Sequence, residues 1–197
     1  MFFLRRPSRE TIDRFLEESR HLALSYAGPG LAGTAHPDFD HDDTVVIIGR
    51  GDEAYERAKN ALASWAHFGF NWVDISPRTP SIEPGTVVAV LIRHLGFWSL
   101  NGCRIVYGVG ERSRGWRFGF AYGTLSNHAE RGEEIFEVFR RPETGEVGYR
   151  IRAASRPRAA LARAGYPIVR VLQARFRRDS GEAMRRAVDA AAPGRVE

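Results

Sequence analysis

From Thr86 onward the apolar residues of this chain stop recurring every three or four positions and begin to alternate. Five candidate strands follow in close order, at 86–93, 103–110, 116–124, 133–140 and 147–154. Strict alternation is the signature of strands with one buried face. The links are short and turn-like, among them Ser113 to Gly115 and Glu143-Thr144-Gly145, so neighbouring strands in an antiparallel meander are the economical arrangement. A sheet of this kind has to cover its apolar face with something, and the flanking segments must supply the cover.

Both flanks carry helical patterns. Ser8 is placed to cap a helix with Glu10 in its first turn and Ile12, Phe15, Leu16 and Leu22 along one side. Gly28-Pro29-Gly30 ends it, and residues 27–43 form a polar connection rich in Gly, Pro, His and Asp. Thr44 to Ile48 is a β-branched run that predicts a short strand closed by Gly49 and Gly51. Asp52 then caps a helix in which Ala54, Ala58, Ala61, Leu62 and Trp65 share a face. Phe68 to Ile75 returns as a strand.

Beyond Ser155 the period is helical again. Pro157 suits a first turn, Ala160, Leu161 and Ala164 face inward, and Gly165 and Pro167 interrupt the axis. A longer piece then carries Ile168, Val171, Leu172 and Phe176 through Met184 and Val188, with a second interruption expected at Ser180-Gly181.

The 197 residues suffice for one sizeable core. The expected organisation is one domain over 1–197, with an N-terminal helix and polar connection at 1–43, the core at 44–190 and a frayed tail at 191–197. The formal charge of +5 comes from 29 basic and 24 acidic residues, and Lys59 is the only lysine. The arginines are spread along the chain, not gathered in a stripe with exposed aromatics, which argues against a nucleic-acid surface. Cys103 is the single cysteine, so no intrachain disulfide and no cysteine-based metal cluster is expected. The longest near-apolar run, Thr86 to Ile92, falls far short of the ~20 residues of a membrane helix. A cytoplasmic location without a transmembrane segment is expected.

Helix, strand, helix, short strand, meander and long helix are the order of an α+β helix-grip fold, a curved antiparallel sheet wrapped around the C-terminal helix, and equally of an α+β sandwich packed solid with no cavity. In the run 116–124, Trp116, Phe118, Phe120 and Tyr122 fall on one face and Arg117, Gly119, Ala121 and Gly123 on the other. Four aromatics on one face would wall a pocket under the helix, or else pack solidly beneath it. Cys103, Ile105, Tyr107 and Val109 alternate in the same manner. Tyr107 and Tyr122 each join an aromatic body to a hydroxyl that can orient a ligand in an apolar site.

Several blocks resemble a known family. Gly49-Arg50-Gly51-Asp52-Glu53 through Trp65, then Phe68-Gly69-Phe70-Asn71-Trp72-Val73, is similar to its N-terminal signature. Pro84-Gly85-Thr86 through Val90 and Leu100-Asn101-Gly102 through Tyr107 resemble its central block. Arg117-Phe118-Gly119-Phe120-Ala121-Tyr122-Gly123-Thr124-Leu125, His128 to Glu134, and Ser155-Arg156-Pro157 resemble its third. The family is widespread in bacteria, has plant relatives, and is catalogued as a domain of unknown function. At fold level it looks similar to the START-like superfamily of polyketide cyclases, plant allergens of the Bet v 1 kind and steroidogenic lipid-transfer domains. The resemblance implies the helix-grip fold and carries no catalytic residue with it.

Candidate site residues follow from position. Trp98, Tyr107, Trp116, Phe118, Phe120, Tyr122 and Arg104 are the candidate ligand-binding set. His128, Glu133 and Glu134, in and after one link, are the weak catalytic candidates, since histidine with a partly buried carboxylate can form an acid and base pair. Arg104, Arg117, Arg150 and Arg152 alternate with apolar residues and have the forked geometry that suits an acidic head group. His36 to Asp43 is dense in metal-ligand types but lacks their spacing, so it is read as an acidic lid segment; no metal and no cofactor is expected. The basic C-terminal helix is compatible with transient membrane contact. The leading functional expectation is noncatalytic binding or carriage of a small apolar molecule such as a lipid, isoprenoid or polyketide-like compound. The alternatives are a cyclase, dehydratase or hydrolase acting on such a molecule, and a solid-core interaction module.

Overall fold

The computed structural model describes residues 1–110, 116–157 and 166–192. Its elements in chain order are β1 (Phe2–Phe3), α1 (Arg9–Ser19), β2 (Asp40–Arg50), α2 (Asp52–Ala63), β3 (Val73–Ser76), β4 (Val87–His94), β5 (Phe97–Val109), β6 (Arg117–Thr124), β7 (Glu130–Arg140), β8 (Glu146–Pro157) and α3 (Tyr166–Ala190). Short 3₁₀ turns lie at Leu31–Gly33 and Ala66–Phe68. The strands form one antiparallel sheet in the order β2-β8-β7-β6-β5-β4-β3. The meander expected from the alternating runs is therefore present, and β2 closes on its last strand. β1 adds to the start of β5 at Trp98 and Ser99, which β6 does not reach.

The curled sheet has helices on both sides. On the inner face α2 and α3 cover a core that includes Leu62, Trp65, Phe68, Ile105, Phe120, Phe136, Tyr149 and Met184. On the outer face Ile12 and Phe15 of α1 pack against Ala89, Leu91 and Leu100. Ser8 caps α1 as expected, its Oγ accepting from the Thr11 amide at 3.3 Å.

The structure corrects the expected boundaries in informative places. Asp40 to Asp43, read as a lid, are the first residues of β2 and pair with Arg152 to Ser155. Their polarity reflects partners: Asp43 accepts from Arg150, and Asp42 accepts from Arg170 at 2.7 and 2.8 Å. α2 is capped by Gly51, at φ 84°, and not by Asp52, whose carboxylate instead meets Arg140 at 2.8 Å. Phe68 belongs to a 3₁₀ turn, so the short strand starts only at Val73. Pro157 ends β8 where a helix start was expected. Ala160, Leu161, Ala164 and the turn at Ser113 to Gly115 lie outside the described residues.

α3 runs unbroken through Ser180-Gly181. Gly181 is required there by close approach, since a Cβ would meet Val46 at 2.9 Å. The helix therefore seats directly on β2.

One inner residue is exceptional. His67 is wholly buried, and neither ring nitrogen has a hydrogen-bond partner. Its ring stacks on Trp65 at 5.2 Å and touches Phe68, Phe120 and Phe136. Burial holds its pKa down to about 3. The folded protein cannot protonate it where the unfolded chain, at about 6.5, can, so stability is lost as pH falls from about 6.5 toward 3. His67→Leu removes that loss. Between pH 7.5 and 4.5 the variant's unfolding free energy, followed by denaturant titration, is expected to gain on the wild type by roughly 2–3 kcal/mol. Parallel pH profiles of the two proteins would contradict this.

Candidate functional site

α3 seats tightly at one end and loosely at the other. From Ser180 onward its inward residues Ser180, Gly181, Ala183, Met184 and Val188 are buried, whereas Leu172 and Phe176, which pack against the same core, are partly exposed. The inner-face residues opposite, Glu130, Glu134, Ala153 and Ser155, are also partly exposed. The N-terminal half of α3 is thus less fully covered than its C-terminal half. At the other end the interior is filled by Trp65, His67, Phe68, Phe120 and Phe136.

This less-covered region brings apolar side chains together with a small polar set. Phe136 lies 5.2 Å from Tyr122 and 6.4 Å from Phe176, ring to ring. Tyr122 Oη donates to Glu134 Oε2 at 2.8 Å. From α3, Gln173 Nε2 donates to Glu130 Oε2 and to Ser155 Oγ, each at 3.0 Å. Arg170 and Arg177 reach Asp42 of β2, the second at 3.0 Å. Polar ties therefore hold the loosely seated half of α3 in place.

Glu134 is the group whose charge state matters. Burial of its carboxyl, with neighbouring Glu130 adding to the effect, outweighs the Tyr122 hydrogen bond and the Arg177 charge and raises its pKa to about 7. Near neutrality it can give or take a proton. Burial also raises the pKa of Glu130, and it pushes the Cys103 thiol and the Tyr122 hydroxyl well up, so neither of these ionises.

The sequence candidates separate into two sides of the sheet. Phe118, Phe120, Tyr122 and Glu134 face inward, but Phe120 is fully enclosed and lies 4.8 Å from Trp65, so it is part of the filled half. Trp116 precedes β6 and packs edge-on to Tyr55 with Arg140 over its other side. Tyr107 does not join this set. A register shift between Ile105 and Tyr107, where β5 carries one extra residue, turns it to the outer face. There its hydroxyl donates to Glu133 at 2.7 Å.

Glu133 also faces outward, and its carboxylate accepts three more bonds, from Tyr26 Oη and the Gly30 and Ala32 amides. It pins the polar connection to the sheet. Arg104 faces outward as well and bonds the Arg20 and Leu22 carbonyls at the end of α1, both at 2.9 Å. Trp98 packs on the outer face among the residues beneath α1.

His128 and Glu134 do not form the expected pair. His128 lies in the β6–β7 link, Nδ1 accepting from the Glu130 amide at 2.9 Å, and burial lowers its pKa to about 4. Among the described residues no group of three or more His, Cys, Asp or Glu side chains is placed to hold a metal ion. No helix among them is long and apolar enough to cross a membrane. The 3₁₀-borne His67 and the Glu130–Gln173–Ser155 set escaped the sequence reading; a histidine inside the aromatic block Trp65 to Phe70 is the one signal for the first.

The raised Glu134 pKa has a measurable consequence. Between its unfolded value, about 4.3, and about 7 the folded state holds the proton more tightly than the unfolded chain, so stability falls as pH rises through that window. Glu134→Gln abolishes this. Its stability relative to wild type is expected to climb by up to about 3 kcal/mol from pH 5 to pH 8, read from denaturant midpoints. A difference that stays constant with pH would show that Glu134 ionises normally.

Comparison with known proteins places this geometry among relatives. A family model described as a domain of unknown function, DUF1990, matches residues 25–183. The UPF0548 protein of Dictyostelium discoideum is 32% identical, over 95% of this chain and 96% of its own. A UPF0548 protein of Deinococcus radiodurans is 36% identical, over 89% and 92%. Among solved structures, a hypothetical protein of Helicobacter pylori superposes with a TM-score of 0.51 at 11% identity, over 86% of this chain and 96% of that one. The di-domain aromatase/cyclase BexL gives 0.52 at 16% identity, over 79% of this chain and 51% of its own. At such identities the likeness is one of fold, and it agrees with the helix-grip arrangement. The matched span and the identity over nearly the whole length together establish that this chain belongs to the DUF1990/UPF0548 family.

Proposed function

We propose that the chain binds a small apolar or amphipathic molecule in the recess under the N-terminal half of α3, with its polar end at the Tyr122–Glu134 pair. The observation that carries this reading is the gradient along α3: inward-facing Leu172 and Phe176 retain exposure while Met184 and Val188 have none. Apolar side chains lining such a recess gain about 25 cal/mol for each Å² a ligand covers. In an apolar setting a hydroxyl and a carboxyl fix orientation, because an unmet hydrogen bond there is costly.

A second reading has its own support. A carboxyl with a pKa of about 7 beside a tyrosine is equipped to move protons near neutral pH. On this reading Glu134 would serve as acid or base in a cyclisation or dehydration of the bound molecule. The fold likeness to an aromatase/cyclase is in keeping with that chemistry without assigning it. The filled half of the grip supports neither reading; its role is to hold the sheet.

The test fills the recess. Leu172→Trp is expected to weaken binding of the neutral dye Nile red by at least about tenfold with the melting temperature little changed, whereas Phe120→Leu, in the filled half, should leave the affinity within about twofold. Equal dye binding by wild type and Leu172→Trp would sink the proposal. An apolar compound co-purifying with wild type and lost from Leu172→Trp, seen by native mass spectrometry, would identify the ligand directly.

A further inference from the structure

The outer face carries a second pocket, unconnected with the recess. It measures about 440 Å³ and is lined by Gly33, Tyr107, Val109, Arg117, Ile135 and Arg152, with the backbone of Gly108 and Gly110 at one side. That volume is in the range of small-molecule sites. Its walls are fixed. Gly33 belongs to the 3₁₀ turn whose amides Glu133 holds, and Tyr107 is held by the same carboxylate. Gly119 allows β6 and β7 to approach so closely that a Cβ there would run into the Phe136 carbonyl.

The charges around it are unevenly satisfied. Both ends of the Arg150 guanidinium are taken by Asp43. Arg117 reaches the buried Glu137 through Oε2, at 3.2 Å from Nε and closer from Nη2. Arg152 makes no hydrogen bond among the described residues, and its Nε is shielded from solvent without a partner. Among the described residues the acid nearest Arg152 is Glu137, Oε1 at 3.7 Å, beyond hydrogen-bond reach. Glu137 is fully buried and does not line the pocket, so the Arg117 and Arg152 guanidiniums stand between it and the cavity. Glu133 cannot serve them, since four donors already occupy its oxygens. The result is an arginine with no hydrogen bond among the described residues, paired only loosely with Glu137, at one side of a cavity whose other walls are Val109, Ile135 and the Tyr107 ring.

We infer that this outer pocket binds a small organic carboxylate, its oxygens held by Arg152 and Arg117 and its apolar body lodged against Val109, Ile135 and Tyr107. A guanidinium fork matches a carboxylate in two parallel bonds, Glu137 fixes the orientation of the fork from behind, and the apolar walls select against bare inorganic anions.

The experiment is an amide NMR titration of the full chain with sodium benzoate, benzamide and inorganic phosphate. Benzoate is expected to shift the Gly33, Gly108 and Gly110 amides saturably, at millimolar concentration or below. Benzamide, of the same shape without the charge, should bind at least about tenfold more weakly, as should phosphate. Arg152→Gln should weaken benzoate about tenfold or more and Arg152→Lys by less. The wild-type comparison of benzoate with benzamide stands even if a variant folds poorly. Absence of saturable shifts at these glycines, shifts confined to the inner recess around Leu172, or equal binding of benzamide or phosphate would each overturn the inference.

Discussion

Adjacent glutamates on β7 point in opposite directions, and the pleat that sends them there organises the whole molecule. Side chains of a strand alternate faces with a period of two, so Glu133 goes outward to Tyr107 and Tyr26 while Glu134 goes inward to Tyr122. The same parity gives Ile135 to the outer cluster, Phe136 to the inner core and Glu137 to the arginines outside. Each face thereby receives its own polar centre from one strand. Because the alternation is strict, a one-residue slip of β7 would reverse all five assignments at once, which ties the register of the sheet to the satisfaction of three acids.

What was legible in the sequence followed from periodicity. The five alternating runs, the helix at Ala54 to Leu62, the cap at Ser8 and the covering C-terminal helix all express local rules, and the fold follows from them. The boundaries were lost where a strand is polar. Asp40 to Asp43 look like a loop until Arg150, Arg170 and Arg177 supply their partners from 107 to 135 residues away, and no local pattern announces such a pairing. The face of Tyr107 was lost for another reason. One extra residue between Ile105 and Tyr107 inverts the alternation beyond it, and the sequence there, apolar on both sides, has no polar marker to reveal the change. Trp98 was misplaced because a large aromatic suits a pocket wall and the underside of a helix equally well.

The candidate site was half legible. Tyr122 and Glu134 are both outcomes of alternation, and they meet because β6 and β7 set them directly opposite one another. The histidine expected beside them stays in its link, where a backbone amide occupies Nδ1. How fully each part of α3 is covered is not encoded in a helix pattern. Ile168, Val171, Leu172 and Phe176 read alike as an inward stripe, yet Ile168 and Val171, exposed at 48% and 67%, lie on the solvent side of α3, and only Leu172 and Phe176 pack toward the core.

The two faces are mechanically related through the filled half of the grip. The strands that wall the outer pocket, β5 to β8, are backed from inside by Phe120, Phe136 and Tyr149, all buried, with Trp65 and His67 behind them. Close packing of this kind has little compressibility, so a site on the other side of those strands inherits a rigid base. At the opposite end α3 is held by Gln173 and two arginines as well as by the partly buried Leu172 and Phe176. Polar ties at a partly exposed edge open more readily than a packed core. The same helix therefore has one end fixed by buried apolar packing and one end fixed in part by polar ties at a more exposed edge. The orphaned His67 nitrogens lie at the fixed end, where the surrounding aromatic packing has to outweigh their unmet hydrogen bonds.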